Sequence, residues 1–464
     1  MRLILSVLAL AMLVIPSCGQ ETVEDWVEEG IALGKEGKYS EAIQAFDEAI
    51  RIDPEYAGAW YGKGLALYDQ GNYTDAIQAY DEAIRIDPKY ALAWNNKGNA
   101  LMMQGKYDEA IQAFDEAIRL DPEFAMAWNN KGVALHNQGK YDEAIQAFDE
   151  AIRLDPEFAT AWDNKGNALV MQGKYDEAIQ AFDEAIRLVP EFAMAWNNKG
   201  NALVMQGKYD EAIQAFDEAI RLDPEFAMAW NNKGLALYDQ GKYDEAIQAY
   251  DEAIRFDPEF AMAWNNKGVA FCNQGKYTEA IQAFDEAIRL DPEFAMAWNN
   301  KGLALYDKGN YTDAIQAYDE AIRLDPEFAL PWCNKGNALG SQGKYDEAIQ
   351  LYDEVIRLDS EFAMAWYNKG LALYDKGNYT DAIQAYDEAI RLDPEFALPW
   401  CNKGNALGSQ GKYDEAIQLY DEAIRLDSEF AMAWYNKGVT LELLGKTSEA
   451  NEAYTKAEEL GFAV

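Results

Sequence analysis

Positive charge is scarce in this chain. Forty Lys and Arg stand against 81 Asp and Glu, a formal net charge of −41 with the single histidine neutral. Phosphates are gripped by Lys and Arg, so this field weighs against nucleic acid as a partner. Histidine occurs once, as His136, and a lone histidine without a neighbouring Cys or second His builds no metal site. The four cysteines are Cys18, Cys272, Cys333 and Cys401. Cys333 and Cys401 occupy the same place two units apart, beyond the ~7 Å reach of a disulfide, so free thiols are expected. The chain also lacks a glycine-rich phosphate loop, a nucleophile paired with a base, and a ligand cluster. Adjacent acids such as Asp217 and Glu218 recur in nearly every unit on a face with no pocket to shift a pKa. They read as a solvated outer coat, and the chain reads as a non-enzyme with no cofactor and no metal.

Long apolar runs are missing too, with one exception at the start. Arg2 precedes an apolar stretch from Leu3 to Ile15, followed by Pro16, Ser17 and Cys18. The stretch is too short to span a membrane and suits a signal peptide. The string "IPSC" resembles a lipoprotein processing box, with Pro16 unusual at its place. That resemblance implies lipid on Cys18, residues 1–22 as signal and short tether, and a chain anchored to the outer face of the cytoplasmic membrane. An ordinary cleaved signal, giving a secreted chain, and an uncleaved anchor are the alternatives.

What the sequence has in abundance is itself. Thirteen tryptophans, from Trp26 to Trp434, stand at steps of 34 residues, and none lies off this grid. "DPEFAMAWNNKG" occurs at Asp121, Asp223, Asp257 and Asp291, and once more from Val189 with only its first residue changed. Residues 295–362 and 363–430 differ only at Asn299 against Tyr367 and Val355 against Ala423. Thirteen units therefore tile 23–464: 23–56, 57–90, 91–124, 125–158, 159–192, 193–226, 227–260, 261–294, 295–328, 329–362, 363–396, 397–430 and 431–464. A period of this size means stacked supersecondary units, not one closed core.

One unit, 193–226, predicts two helices. Trp196, Gly200 and Leu203 share a face of the first; Ala212, Ile213, Phe216, Ala219 and Ile220 follow at helical spacing in the second. Gly207 suits a left-handed turn between them, Asp210 and Glu211 a helix N-terminus, and Asp223-Pro224 the break before the next unit. Trp196, Gly200, Ala212, Phe216, Ala219 and Pro224 fall where the tetratricopeptide repeat carries its defining residues, and the resemblance recurs in every unit. It implies an all-α fold, a right-handed superhelical solenoid of thirteen helix–turn–helix repeats of 34 residues. Lys stands where the family usually has an apolar residue before the first Gly, as in Lys63, Lys97 and Lys199; its stem is expected on the core and its ammonium in water. In the last unit Thr447, Asn451 and Phe462 replace Tyr, Ile and Pro, as suits an outer face without a neighbour.

The resemblance also assigns a binding groove to the first-helix face opposite Trp, Gly and Leu. In unit 193–226 that face presents Met194, Asn197, Asn201, Val204 and Met205. Along the chain it offers Asn95, Asn99, Asn129, Asn197, Asn201, Asn231, Asn265 and Asn299, and the aromatics Tyr61, Tyr68, Tyr238, Tyr306, Tyr367 and Tyr374. Amides can pair with a peptide backbone and tyrosines supply contact area, so other proteins or peptides are the expected partners. Lys and Arg are absent from these places, which removes the acidic-tail grip of chaperone adaptors. The expected role is a non-catalytic scaffold; an acidic spacer or coat element without a specific ligand is the alternative. Asn72, Asn310 and Asn378 begin Asn-Tyr-Thr sequons. Each is either an N-glycosylation site or a turn Asn followed by a Thr cap, the latter preferred.

Overall fold

The computed structural model describes residues 22–462. The signal segment and Cys18 lie outside the described residues. Within them the chain forms twenty-six α-helices in thirteen consecutive pairs, with no strand among the described residues. Contacts divide the chain into two units, one ending at Pro224 with six pairs and one starting at Glu225 with seven.

A single pair shows why the sequence folds this way. The first helix runs Ala193–Met205 and the second Tyr209–Leu222. Gly207 turns the chain with φ 72°, which lets its N–H and that of Lys208 reach the Val204 and Leu203 carbonyls at 2.8 and 3.0 Å. Those bonds satisfy carbonyls that the helix end leaves unpaired. The second helix has Asp210 and Glu211 in its first turn and Arg221 in its last, matching charge to the helix dipole at both ends.

The helices touch because glycine leaves room. A Cβ on Gly200 would stand 2.5 Å from the Phe216 ring, closer than any carbon can sit. Phe216, Ala212 and Ala219 are fully buried beside it. Cores are shared between repeats. Around Phe182, for instance, Leu169, Ala178 and Ala181 pack with Ile145 from the repeat before and Ala202 from the repeat after. No repeat buries its own apolar face alone, which is the physical content of a stacked array.

One local expectation changes, that for the Asn-Tyr-Thr turns, and the Asp-Pro break has a geometry of its own. Asp before Pro does not cap the following helix. The Asp257 carboxylate accepts the backbone N–H of Glu259 at 3.1 Å, a local turn, and the next helix opens at Ala261 with Phe260 at its cap. In some repeats the Trp side chain fastens the helix to the break instead: the Trp60 indole N–H donates to the Pro54 carbonyl at 3.0 Å, whereas the buried Trp264 indole N–H finds no partner. In the Asn-Tyr-Thr turns the cap is the Asn, not the Thr. Asn72, Asn310 and Asn378 accept from the N–H of Asp75, Asp313 and Asp381 at 3.4 Å, and their amides donate to those carboxylates at 2.6 Å. Thr74 lies inside the helix, and its hydroxyl accepts from Gln104 of the next repeat at 2.9 Å. The last repeat keeps Thr447 and Asn451 exposed, and Phe462 folds back after Gly461 to stack on Tyr435 at 4.6 Å.

The first-helix face as a candidate binding site

Apolar exposure in this molecule is not scattered. Of the 19 large hydrophobic side chains exposed among the described residues, all but Ile52 and Val189 sit on first helices. They occupy three places in the repeat, two before Trp (Met126, Met194, Met228), five after it (Leu235, Leu303) and nine after it (Met171, Met205). At about 100° per residue those places fall within ~40° of one another, so they form one stripe.

The asparagines expected on the same face divide. Asn99 and Asn201, five after Trp, are partly exposed in the stripe itself; Tyr61, one after Trp, and Tyr68, Tyr238, Tyr306 and Tyr374, eight after it, are partly exposed ~60–80° round the helix from the middle of the stripe. Asn95, Asn129, Asn197, Asn231, Asn265 and Asn299 are only 1–5% exposed, and Tyr367 is buried as well. Their place, one after Trp, is rotated ~60° from the stripe and meets the next repeat. There each receives a hydrogen bond or sits in the chain of bonds around one. Asn130 donates to Asn95 at 3.1 Å, Asn164 to Asn129 at 2.9 Å, Asn266 to Asn231, Asn300 to Asn265 and Asn334 to Asn299, each at 3.0 Å. Within each repeat the buried Asn donates onward to its neighbour, as Asn197 does to Asn198 at 3.4 Å. The expectation that these buried residues offer amides to a ligand is corrected: the amides are engaged in joining repeats. A buried amide must find a partner inside the protein, and the adjacent copy supplies one.

Substitutions in this ladder keep to its logic. Tyr61 and Tyr367 take the acceptor place and receive Asn96 and Asn402 on their hydroxyls at 2.9 and 3.0 Å. Cys333 takes it too, with Asn368 donating to its sulfur at 3.3 Å. Cys272, Cys333 and Cys401 are free thiols. Burial pushes all three up, Cys401 to about 11 and Cys272 to about 12, which keeps them un-ionised and unreactive. Asp163 is the exception with a charge. It is 5% exposed, accepts from Asn198 at 3.0 Å and Asn167 at 3.3 Å, and burial pushes its carboxyl up to about 6. His136 packs edge-on against Tyr141, and burial holds its imidazole below the usual value. No group of residues suited to a metal ion occurs among the described residues, and none of their helices is long and apolar enough to cross a membrane.

The tetratricopeptide repeat model matches residues 27–91, 95–157, 164–227, 200–259, 231–293, 265–327 and 333–395. Further tetratricopeptide models match 147–180, 385–418, 404–445 and 431–460. The chain belongs to the tetratricopeptide repeat family. No curated protein matches it. Among solved structures it resembles the APC/C hetero-tetramer Cut9–Hcn1, at 16% identity and TM-score 0.48, over 94% of this chain and 93% of that one. It also resembles yeast Tom70, at 16% identity and TM-score 0.44, over 94% of this chain and 96% of that one.

As a tetratricopeptide array the chain has one systematic feature that the pattern alone does not explain, the Lys before the first Gly of the repeat. Its ammonium does not simply rest in water. Lys199 Nζ stands 5.3 Å from the Trp196 ring centre and 2.7 Å from the Asp183 carboxylate of the preceding repeat; Lys301 does the same with Trp298 at 5.1 Å and Asp285 at 2.6 Å. Within each of the two units Lys and Asp, joined by Trp in most repeats, thus tie a repeat to the one before, on the side away from the apolar stripe. Clefts open beside these ties, one of about 800 Å³ lined by Trp298, Lys301, Leu305, Asp285, Asp313 and Glu320. The second helices add Arg–Glu pairs three residues apart, such as Arg119 with Glu116 at 2.8 Å.

Proposed function

We propose that this chain is a non-catalytic scaffold that binds a polypeptide along its first-helix face. The observation that carries the reading is the stripe of exposed Met and Leu, repeated at 34-residue steps on otherwise acidic repeats. Contiguous apolar exposure marks an interaction surface. Methionine suits a surface that adapts to its ligand, because its thioether chain repacks at low cost. Yeast Tom70 and the Cut9–Hcn1 assembly share the helical-pair architecture but lend no partner to this chain.

Location is part of the proposal. The apolar run Leu3–Ile15 followed by Cys18 supports export and a lipid anchor on the outer face of the cytoplasmic membrane. Cys18→Ser should release the chain from the membrane fraction or leave it unprocessed. An unchanged membrane fraction together with an unchanged mature mass would rule out lipid at this residue.

A second reading is an acidic spacer with no ligand. It draws on the burial of half of the candidate asparagines and tyrosines, which serve repeat stacking. Photo-crosslinking in intact cells separates the two. A crosslinking residue at Met194 or Met296 should yield a discrete protein adduct, and one at Glu177 on a second helix should not. Absence of adducts from both stripe positions would favour the spacer.

A further inference from the structure

Four repeats differ from the others in a correlated way. Wherever Tyr stands eight residues after Trp, Asp follows it, Leu precedes it by three, and Tyr replaces or matches the buried aromatic of the second helix. The sets are Leu65, Tyr68, Asp69 and Tyr80; Leu235, Tyr238, Asp239 and Tyr250; Leu303, Tyr306, Asp307 and Tyr318; Leu371, Tyr374, Asp375 and Tyr386. In each, the first tyrosine meets a second at the start of the next helix. Tyr68 and Tyr73 have ring centres 5.4 Å apart, Tyr238 and Tyr243 5.4 Å, Tyr306 and Tyr311 5.2 Å, Tyr374 and Tyr379 5.3 Å.

These aromatic pairs are held in place. The Tyr238 hydroxyl accepts from Asn273 of the following repeat at 2.7 Å, and Tyr306 and Tyr374 pair with Ser341 and Ser409 at 3.1 and 3.4 Å. The acid beside each pair is badly placed for stability. Asp69, Asp239, Asp307 and Asp375 are the last residues of their helices, at the negative end of the dipole, and none of these helices has a basic residue in its last turn. Lys308 and Lys376, which come next in two of them, reach back to Thr278 and Asp346 of the preceding repeat. Asp239 and Asp307 are exposed at their helix ends, and the partial burial of their carboxyls still raises both above the usual range. Beneath two of the sets, Tyr318 and Tyr386 are fully buried with hydroxyls that find no hydrogen-bond partner, close enough to Asp307 and Asp375 to feel their charge.

An electron-rich aromatic pair, a carboxylate and a helix C-terminus all favour a positive charge. We propose that each of these four notches receives one cationic side chain, Lys or Arg, from a partner polypeptide, the three in the unit that starts at Glu225 from one segment lying along the first helices of that unit. The proposal rests on the scaffold reading above and adds the chemistry of its partner. Three notches recur at every second repeat within the unit that starts at Glu225. Helices packed ~10 Å apart put such notches roughly 20 Å from one another, a span of roughly six extended residues. The partner segment is therefore basic at intervals, with small or apolar residues between to meet Leu235, Leu303 and the stripe methionines.

The test uses the full chain and a labelled Gly/Ser peptide with arginines spaced roughly six residues apart, read by fluorescence anisotropy near physiological ionic strength. One variant carries Asp69→Asn, Asp239→Asn, Asp307→Asn and Asp375→Asn. Its control carries Glu143→Gln, Glu177→Gln, Glu245→Gln and Glu347→Gln on second helices, with the same change in charge. The notch variant should lose about tenfold or more in affinity and the control less than about twofold, since only linked specific contacts are lost in the first. Tyr306→Leu with Tyr374→Leu, which leaves charge untouched, should also weaken binding. Equal loss in both charge variants would reduce the effect to the general acidic field and overturn the proposal, as would failure of the unaltered chain to bind the peptide. A crosslinked cellular partner whose capture at Met296 survives the four Asp→Asn changes would overturn the notches and leave the scaffold standing.

Discussion

The side-chain amide of Asn198 lies 3.0 Å from the Asp163 carboxylate of the preceding repeat and donates to it. The same place holds Val27 in the first repeat and Asn, Tyr or Cys in all the others, so among the described residues this junction alone carries a buried carboxylic acid. Its carboxyl is raised from 3.8 to about 6. Between those values the folded chain binds more protons than the unfolded one, so stability falls as pH rises through the window. Asp163→Asn should therefore raise the melting temperature at pH above about 7 and change it little near pH 4, a difference on the order of 2 kcal/mol. Equal effects at both pH values would show that ionisation of Asp163 is not the cause.

The same ladder predicts a contrast between two asparagines on one helix face. Asn129 is 5% exposed and receives Asn164, whereas Asn201 is partly exposed in the apolar stripe. Asn129→Ala leaves the Asn164 amide without its acceptor and should cost about 1–3 kcal/mol. Asn201→Ala should stay within about 0.5 kcal/mol. Urea midpoints measure both, and hydrogen exchange should localise the first to the 125–158 and 159–192 junction.

Gly200 and Phe216 make a steric prediction. Gly200→Ala forces a Cβ to within 2.5 Å of a buried ring, so the ring or the helix must shift. The expected loss is about 1–3 kcal/mol. Adding Phe216→Leu should make the alanine cheaper than it is in the parent. If the two losses simply add, the clash is not the reason that glycine stands there.

The lysine tie makes an electrostatic one. Lys301→Met keeps the aliphatic stem over Trp298 and removes the charge paired with Asp285. Asp285 is about half exposed, so solvent screens much of the pair and a loss of roughly 0.5–1 kcal/mol is expected. The difference in melting temperature between Lys301→Met and the parent should shrink as salt is raised. A loss unchanged by salt would assign the effect to packing.

Much of this protein is local and could be read without coordinates. The Trp grid fixes the period, Gly207 fixes the turn, and Phe216 against Gly200 fixes how the two helices of a pair meet. Each depends on residues within one unit, and helical geometry turns their spacing directly into faces. The stripe formed by Met194, Asn201 and Met205 was legible for the same reason.

What lies between copies was not. Asn197 and Asn201 stand four residues apart, a step of about 40° on one helix face, yet one is buried and the other is not. The difference comes from the adjacent repeat, which covers one edge of the face and leaves its middle open. Lys199 likewise looked like a solvated substitution until Asp183 of the preceding repeat stood 2.7 Å away. A periodic sequence states what each repeat contains; its partners 16 and 35 residues away are set by how one repeat stacks on the next. That stacking is a tertiary property, and it alone decided which polar groups hold the array together and which remain open to a partner.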